Sequence, residues 1–509
     1  MITMQKIIGI FFLAAFLSII GAGHSVVSAS QGSQWQPDQR VSGYLDDTFT
    51  PYLLADQNRT VHAFASQRLS DQLADHAIVY RKWTLANGWT LPIDVIALPQ
   101  GDAQIQGAFL DANGVIHIIF WGGSPRDAHI YYSYVFISDA DRGPAWSPPV
   151  IIGEKAAGIG SAYLAGDGKG NLVVIYSGVR DGNGVYTTTS KDGGESWLKS
   201  QPLYLTYDDN LTPFSLRLFA YTGQIRATWN VVTNRGGDQS LHFANYDLEK
   251  AVWSEPILLN AKIKDSDFNS FGPSFPAMVD NGDEIVIMYN NGNPFSGRPV
   301  DPGRPVQMVS TSSNNGDSWS VPVVPFYRHL GRSGEHALVL DSNHVAHALF
   351  VQRIESKVGG KYQVIGGMYH SAYENGQWSD PDRFVTTYPA HDVRAVVSQG
   401  NVLLVIWRQD PGAEKLHGVW FSYRILDTPE LSVKTVPEST TLTSPTSTIE
   451  TAIPSVLPAT PIPDVNLRHP LFLEASPGSG VAFSVFVALF LLIVVVLIYA
   501  SSRKPKDRH

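Results

Sequence analysis

The sequence predicts an all-β protein, a seven-bladed β-propeller, from three observations. Tryptophan followed by proline and a short apolar run recurs 51 to 66 residues apart, which suits a four-stranded blade. Seven apolar runs that end in polar turns lie between or after these tryptophans. The first tryptophan precedes the first of those runs, and no tryptophan unit of this kind follows the last run. The seven tryptophans are Trp35, Trp89, Trp146, Trp197, Trp253, Trp319 and Trp378.

Each blade is predicted to begin with two strands joined by a tight hairpin, as in GAFLDANGVIHIIF from Gly107. A polar loop and a third strand follow, for example GVYTTTS from Gly184, and the tryptophan strand ends the unit. The strand sets are expected to begin near Thr50, Ile105, Ser161, Ser215, Ser274, Glu335 and Asp392.

The ends of the repeat array predict how the ring closes. No tryptophan strand follows the last set, and the chain leaves after Leu426, whereas QWQPDQRV at Trp35 stands alone before the first set. We therefore expect the segment from Trp35 to Val41 to complete the last blade, because this leaves no open sheet edge at the seam. A six-bladed ring, with one unit misread, is the alternative.

The two ends of the chain predict secretion and membrane anchoring. Residues 1–29 have the apolar run and small-residue cleavage site of a signal peptide. Residues 481–500 form an uncharged apolar run long enough to cross a bilayer, and the basic segment 501–509 predicts a cytoplasmic tail. The protein is thus predicted to be a single-pass protein of the cell membrane, with the propeller at 34–427 outside the cell.

Composition restricts the connecting segment and the chemistry. Thr, Ser and Pro dominate residues 428–480, which predicts a disordered, semi-rigid stalk. The 509 residues contain no cysteine, which excludes disulfides, a cysteine nucleophile and thiolate metal sites. The net charge of −9 argues against a nucleic-acid partner, which would require a basic surface. It does not exclude an anionic sugar, because a local group of arginines can bind one.

Two tryptophan units carry a turn of the form Ser-x-Asp/Asn-x-Gly-x-Ser-Trp, at Ser190–Trp197 and Ser312–Trp319. Asp141, Gly143 and Trp146 form a weaker copy. These turns resemble the Asp-box, or BNR, repeat of sialidase-like propellers. In such a turn the Asp or Asn side chain binds backbone N–H groups, and glycine adopts a conformation that other residues avoid. The turns are therefore expected to support the fold rather than the chemistry.

A binding site is predicted at the end of the ring where the first strands begin. The seven first strands align on the residue at the following turn, which is Asp56, Asp111, Asp167, Tyr221, Asp280, Asp341 or Ser398. Positions four and six before it are expected to share one face, because side chains alternate along a strand. That face contains two tyrosines, two arginines and two carboxylates, namely Tyr52, Tyr163, Arg217, Arg394, Glu335 and Asp392.

The resemblance to sialidases implies a role for each of these residues. Sialidases bind the substrate carboxylate with three arginines and use a glutamate-activated tyrosine nucleophile with an aspartate acid/base. Carried over to this chain, the implied catalytic residues are Tyr163, Glu335 and Asp392. The implied substrate-binding residues are Arg217, Arg394, Tyr52 and Arg332, the last from a loop.

Two roles stay open, and one motif of the family is absent. Tyr52 is an alternative nucleophile, and the Asp46-Asp47 pair is an alternative proton donor. The Phe/Tyr-Arg-Ile-Pro motif that supplies the first arginine in sialidases is missing, since this chain has Phe49-Thr50-Pro51-Tyr52 in the corresponding stretch.

The sequence predicts a membrane-anchored extracellular propeller that acts on or recognises cell-surface glycans. Hydrolysis of the exo-sialidase type is one hypothesis, and a non-catalytic propeller that binds a glycan, a glycoconjugate or a protein partner at the same mouth is the alternative. No cofactor is expected. His336 and His391 flank the predicted mouth, but they lack metal-ligand spacing, so no metal site is expected either.

Overall fold

Seven antiparallel sheets surround a central channel. The computed structural model describes them over residues 34–434, with gaps at 71–72, 125, 158–160, 263–271, 292–305, 330–334, 359–360, 387–390 and 410–417. Apart from the turn at 234–236, the described residues belong to one compact unit. The seven sheets confirm the predicted seven blades and exclude the six-bladed alternative.

The described chain consists almost wholly of short strands. Two 3-10 helices, Ile137–Asp139 and Gly143–Ala145, lie between the third and fourth strands of the second blade, and the described ranges contain no α-helix. The strands are β1 (Gln39–Arg40), β2 (Tyr52–Ala55), β3 (Thr60–Ser70), β4 (Leu73–Thr84), β5 (Gly88–Trp89), β6 (Ile93–Ile96), β7 (Asp102–Leu110), β8 (Val115–Ser124), β9 (Asp127–Phe136), β10 (Val150–Gly153), β11 (Ala162–Gly166), β12 (Leu172–Gly178), β13 (Gly184–Ser190), β14 (Gln201–Leu205), β15 (Leu211–Tyr221), β16 (Gln224–Thr233), β17 (Asp238–Asp247), β18 (Val252–Trp253), β19 (Ile257–Ala261), β20 (Ser274–Asp280), β21 (Ile285–Asn291), β22 (Val306–Ser312), β23 (Ala337–Leu340), β24 (Ala346–Val358), β25 (Lys361–Glu374), β26 (Gln377–Trp378), β27 (Asp382–Val385), β28 (His391–Ser398), β29 (Val402–Gln409) and β30 (Gly418–Ile425).

The blades follow one another in chain order. They are β2–β6, β7–β10, β11–β14, β15–β19, β20–β22, β23–β27, and β28–β30 with β1. The innermost strands β2, β7, β11, β15, β20, β23 and β28 each contact the next, and β28 contacts β2 again. The first strands therefore line the channel, as predicted. Each begins at one end of the ring, here called the mouth, and ends at a hairpin turn at the other.

The N-terminal segment closes the ring as predicted. Gln39 of β1 pairs with Phe421 of β30 in an antiparallel register. The N–H groups of Gln36 and Val41 extend this ladder with bonds of 2.9 and 2.8 Å to β30 carbonyls. Because Val41 is buried in the core between the last and first blades, the seam is packed like any other blade interface.

Every repeated tryptophan contacts the preceding blade. Trp35, for example, stacks on Phe384 with ring centres 4.0 Å apart, and Trp197 meets Tyr132 edge-on at 4.9 Å. Rings that bury a large area between neighbouring sheets hold those sheets together. The pairs are Trp35–Phe384, Trp89–Phe421, Trp146–Phe64, Trp197–Tyr132, Trp253–Thr187, Trp319–Phe243 and Trp378–Phe326.

The two well-formed turns have the expected geometry. Asp192 accepts the N–H of Ser196 at 2.9 Å, and the Ser190 hydroxyl accepts the N–H of Gly194 at 2.9 Å. The turn at Asn314 repeats both bonds. In the weaker copy, Asp141 instead forms an ion pair with a lysine of the first blade. These polar groups are thus engaged within the fold.

Substituting alanine for Gly194 is expected to destabilise the protein by about 3 kcal/mol, from overpacking and a left-handed backbone. Its φ is +91°, and a methyl group there would overlap the hydroxyl of Tyr132 in the previous blade. Gly193 is the matched control, because its φ is +72° but nothing lies within 4 Å of an added Cβ. Urea unfolding of G193A should show a loss of only about 1 kcal/mol. Equal losses would contradict the proposed steric role of the blade contact.

The fifth blade departs from the prediction. The segment SWSVPVVP at Trp319 was expected to form its fourth strand, but the blade has three strands and only an isolated bridge between Val309 and Val323. Pro322 and Pro325 flank this bridge. Since proline donates no backbone hydrogen bond, they prevent the ladder from extending.

A polar network recurs in the core of three blades. In the first blade, His62 contacts the turn residue Asp56 at 3.4 Å and bonds Tyr80 at 2.7 Å. The second blade repeats the arrangement with Asp111, His117 and Tyr132, and the sixth has Asp341, His347 and His370. The network connects the first three strands of a blade. Its sequence signal is an Asp followed six residues later by His.

The chain leaves the ring across the hairpin-turn end. The Ser342 hydroxyl of the sixth blade donates to the carbonyl of Pro429 at 2.6 Å. The N–H of Leu431 donates to the turn of the seventh blade at 2.7 Å, and that of Lys434 to the turn of the first blade at 3.2 Å. Residues 428–434 therefore cross the seam on the side opposite the mouth.

The predicted signal peptide, most of the predicted stalk, the membrane segment and the tail lie outside the described residues. Within the part of the chain that is described, no helix has the length and apolar character needed to cross a membrane.

Candidate functional site

Five predicted site residues meet where the channel opens, and they are here called the mouth cluster: Tyr52, Tyr163, Arg217, Glu335 and Arg394. Glu335 lies between the two arginines. Its Oε1 is 2.8 Å from a terminal nitrogen of Arg217, and its Oε2 is 3.8 Å from Nε of Arg394. The three side chains are 17 to 22% exposed. One carboxylate thus joins residues from the fourth, sixth and seventh blades.

The two tyrosines lie against the two arginines. The guanidinium carbon of Arg394 is 3.6 Å from the ring centre of Tyr52, and that of Arg217 is 5.7 Å from the ring centre of Tyr163. Such cation–π contacts are strongest where water is excluded. Each guanidinium also donates one hydrogen bond to a backbone carbonyl, at 2.9 and 2.8 Å. Both arginines are therefore held in fixed orientations.

The charges determine the protonation states. Burial by itself would raise the pKa of Glu335, but the charges of Arg217 and Arg394 outweigh burial and lower it to about 2. Burial would lower the pKa of Arg217, yet Glu335 and the two tyrosines raise it above its usual value. Burial raises the pKa of Tyr52, with Arg394 opposing. Near neutral pH the cluster thus holds two cations, one anion and an un-ionised Tyr52, which leaves an excess of positive charge.

The backbone next to this cluster is irregular. The pairing of β15, β20 and β28 with the following strand shifts register near the mouth. Ser215, Phe275 and Asp392 have left-handed φ values of 48°, 51° and 51° at these bulges. A bulge adds a residue and re-aims the side chains that follow. It therefore interrupts the regular alternation of side chains between positions six and four before the turn residue.

The other predicted residues are placed differently. Asp392 is half-buried at the β28 bulge, two residues before Arg394. Arg332 lies outside the described residues. Asp46 forms an ion pair with Arg40, and Asp47 pairs with Arg68 at 2.8 Å, so both alternative proton donors are engaged by arginines.

Four further residues at the mouth were missed, and they are here called the rim group: Phe49, His76, Asp102 and Arg408. Asp102 accepts two hydrogen bonds from His76, one from the ring Nδ1 at 3.0 Å and one from the backbone N–H at 2.9 Å. The imidazole stacks on Phe49 with centres 5.4 Å apart, and the Arg408 guanidinium carbon is 5.6 Å from the same ring. Burial would raise the pKa of Asp102, but the bonds from His76 outweigh it and lower that pKa. Alignment of the second strands as well as the first would have shown Arg408.

The two histidines near the mouth, His336 and His391, are the residues for which the sequence predicts no metal site. His336 is buried, and its Nε2 donates to the carbonyl of Met288 at 3.1 Å. His391 pairs with Arg408 in the β28–β29 ladder. Within the described ranges, no three His, Asp or Glu side chains are grouped to hold a metal ion.

A cleft of about 660 Å³ lies at the opposite end, between hairpin turns of the third and fourth blades. Its walls include Asp167 and Asp247. Asp167 accepts backbone N–H bonds within its own turn, and Asp247 pairs with Lys250 at 2.8 Å. Because these carboxylates serve the local structure, the mouth is the better candidate site.

Fold and site together define a seven-bladed propeller whose mouth is rich in arginine. No family model matches the chain, and no curated protein matches it either. The sialidase-like assignment suggested by the two turns is therefore not confirmed.

Solved structures resemble the fold. A PL25 ulvan lyase, described as a new family of polysaccharide lyase, is 10% identical, with a TM-score of 0.47 over 78% of this chain and 97% of the lyase. A protein of unknown function from Dyadobacter fermentans is 11% identical, with a TM-score of 0.44 over 78% of this chain and 99% of its own. The phage phi92 endosialidase is 7% identical, with a TM-score of 0.43 over 78% and 70%. At these identities the likeness concerns the fold alone.

Proposed function

We propose that the mouth cluster binds the carboxylate of an acidic sugar, and that the protein recognises cell-surface glycans through it. One observation carries the proposal: Arg217 and Arg394 converge on the single carboxylate of Glu335. Two guanidinium groups sharing one anion leave the cluster positive, in a channel mouth where solvent screening is reduced.

The geometry of the cluster suits an acidic sugar. An arginine fork can bind a carboxylate with two parallel hydrogen bonds. The rings of Tyr52 and Tyr163 lie beside the arginines and offer apolar faces to the carbon skeleton of a sugar. Because burial raises its pKa, the Tyr52 hydroxyl stays protonated and can donate to a ligand oxygen.

Hydrolysis is the second candidate function. The guanidinium of Arg217 pairs with Glu335 and lies over the ring of Tyr163. The sialidase resemblance implies that Tyr163 is the nucleophile and Glu335 its base, so both residues contact the same arginine. A glutamate whose pKa is about 2 is a weak proton acceptor near neutral pH, however. The cluster therefore supports binding better than turnover, with Tyr163, Glu335 and Asp392 as the proposed catalytic residues if turnover occurs.

The proposed setting is the cell surface. The signal peptide at 1–29, the stalk at 428–480 and the apolar segment 481–500 would hold the propeller outside the membrane, with the C-terminus in the cytoplasm. This part of the proposal is based on the sequence.

Calorimetric titration of the full-length chain with sialyllactose, an unsulfated chondroitin tetrasaccharide and neutral lactose tests the binding proposal. At least one acidic glycan should bind more than tenfold tighter than lactose. Arg217→Gln should weaken that binding about tenfold, or about 1.4 kcal/mol, because a bidentate contact is lost. Arg142→Gln is the matched control, since Arg142 is 68% exposed and its ion pair among the described residues is with the neighbouring Asp139.

Equal affinity for lactose and both acidic glycans would refute the binding proposal. The same preparations incubated with a fluorogenic sialoside separate the two candidates. Turnover that disappears in Tyr163→Phe would favour hydrolysis, whereas binding without turnover across a broad pH range would leave recognition alone.

A further inference from the structure

We infer that the rim group forms a second anion-binding subsite, which takes a sulfate ester or a second carboxylate of a bound glycan. This inference rests on the proposed function, because the anion belongs to the glycan held by the mouth cluster. It assigns a ligand-binding role to Phe49, His76 and Arg408, with Asp102 as a positioning residue.

Arg408 supplies the positive charge. It lies at the mouth end of β29, and its guanidinium faces the Phe49 ring at 5.6 Å. Its Nε is buried without a hydrogen-bond partner. Whereas Arg217 and Arg394 share Glu335, no carboxylate among the described residues lies within ion-pair distance of Arg408. A half-buried guanidinium of this kind gains most from an oxyanion that accepts its planar fork of donors.

His76 supplies a polar contact for the sugar that carries the anion. Because its Nδ1–H donates to Asp102, the ring presents Nε2 as a hydrogen-bond acceptor, which suits a sugar hydroxyl and not the anion itself. Asp102 binds both its Nδ1 and its backbone N–H, so the ring is fixed with Nε2 directed away from Asp102. Gln104 donates to the other oxygen of Asp102 at 3.0 Å, which fixes the carboxylate in turn. Nε2 has no hydrogen-bond partner within the described part of the chain. His76 and Arg408 both contact the Phe49 ring, so each belongs to the lining around that ring.

The rim group is continuous with the mouth cluster. Phe49 is followed by Thr50, whose carbonyl accepts a hydrogen bond from Arg394, and then by Tyr52 under the Arg394 guanidinium. Extended chain advances roughly 3.3 Å per residue, so Phe49 and Tyr52 are at most about 10 Å apart along the chain. One oligosaccharide can therefore contact both groups, with its first acidic sugar on the mouth cluster and a second anion on Arg408.

The test compares two chondroitin tetrasaccharides, one unsulfated and one 4-sulfated, titrated into the full-length chain. Arg408→Gln should weaken binding about tenfold, and Arg408→Lys, which keeps the charge but lacks the fork, should weaken it less. Arg142→Gln should change neither affinity. Thermal unfolding of each variant shows whether it is folded, and Arg408→Lys gives a second measurement if Arg408→Gln is not.

The two arms distinguish the source of the anion. A loss confined to the sulfated tetrasaccharide assigns the subsite to a sulfate ester, and an equal loss with both assigns it to a carboxylate. If Arg217→Gln weakens binding but both Arg408 variants leave the two affinities unchanged, the subsite is refuted and the proposed function stands. If the unmodified protein binds neither tetrasaccharide nor sialyllactose better than lactose, the proposed function fails, and the subsite fails with it.

Discussion

Replacing Glu335 with glutamine is expected to destabilise the propeller by about 3 kcal/mol near neutral pH, because it removes the carboxylate that both Arg217 and Arg394 share. Arg217 would lose its 2.8 Å partner, and Arg394 would lose the carboxylate oxygen that lies 3.8 Å from its Nε. Urea unfolding monitored by tryptophan fluorescence measures the change. Glu430→Gln is the matched control. Its carboxylate also pairs with an arginine, Arg59, but the pair is about half exposed, so a loss below about 1 kcal/mol is expected.

The same substitution should change the acid dependence of stability. The pKa of Glu335 falls from an ordinary value of 4.5 to about 2 in the folded protein. A lowered folded-state pKa stabilises the protein fully above pH 4.5, and this contribution is lost as the pH falls toward 2. Glu335→Gln should therefore lose less stability than the unmodified protein between these values. Parallel stability curves over this range would show that Glu335 is not held ionised by the arginines.

Replacing Val41 with aspartate is expected to have an effect of similar size at the seam. Val41 is 1% exposed and lies in the core between the last and first blades. A carboxylate there has no partner, so the free energy of unfolding should fall by several kcal/mol. Proteolysis should then cut first near β1, because the closing strand is released from β30.

The control for the seam is Val252→Asp. Val252 also lies on a short outer strand, but its side chain is 53% exposed, so a change within about 0.5 kcal/mol is expected. Equal melting temperatures for the two variants would contradict closure of the ring by Val41 and its neighbours.

The fold was predictable because its signals are local. Turns such as Ser190–Trp197 satisfy their own backbone groups, and the tryptophan after each turn needs a neighbouring sheet, so the repeat in sequence corresponds to a repeat in space. The position of Trp35 before the first blade was enough to predict the closure. The prediction of an outer strand in the fifth blade is wrong, because Pro322 and Pro325 lack the N–H groups that an apolar run needs to pair as a strand.

The site was predictable only in part. Ring geometry brings equivalent positions of different first strands together, which is why Arg217, Glu335 and Arg394 could be expected to meet. The rim group combines a loop, a third strand, a first strand and a second strand, so an alignment of the second strands shows Arg408 but no single alignment shows the whole group. The pairing of Glu335 with both arginines depends on distances of a few ångströms, which bulges such as that at Asp392 determine and the sequence does not display.

The path of residues 428–434 gives the propeller a direction. These residues cross the turns of the sixth, seventh and first blades, at the end of the channel farthest from Arg217 and Arg394. If the chain is held from its C-terminal side, as proposed, the hold acts first on residues 428–434, and so on the closed seam at the end of the channel opposite the mouth cluster. Under this proposal the strain of anchoring falls on the strand pairing that closes the ring, and the proposed binding residues at the other end of the channel carry none of it.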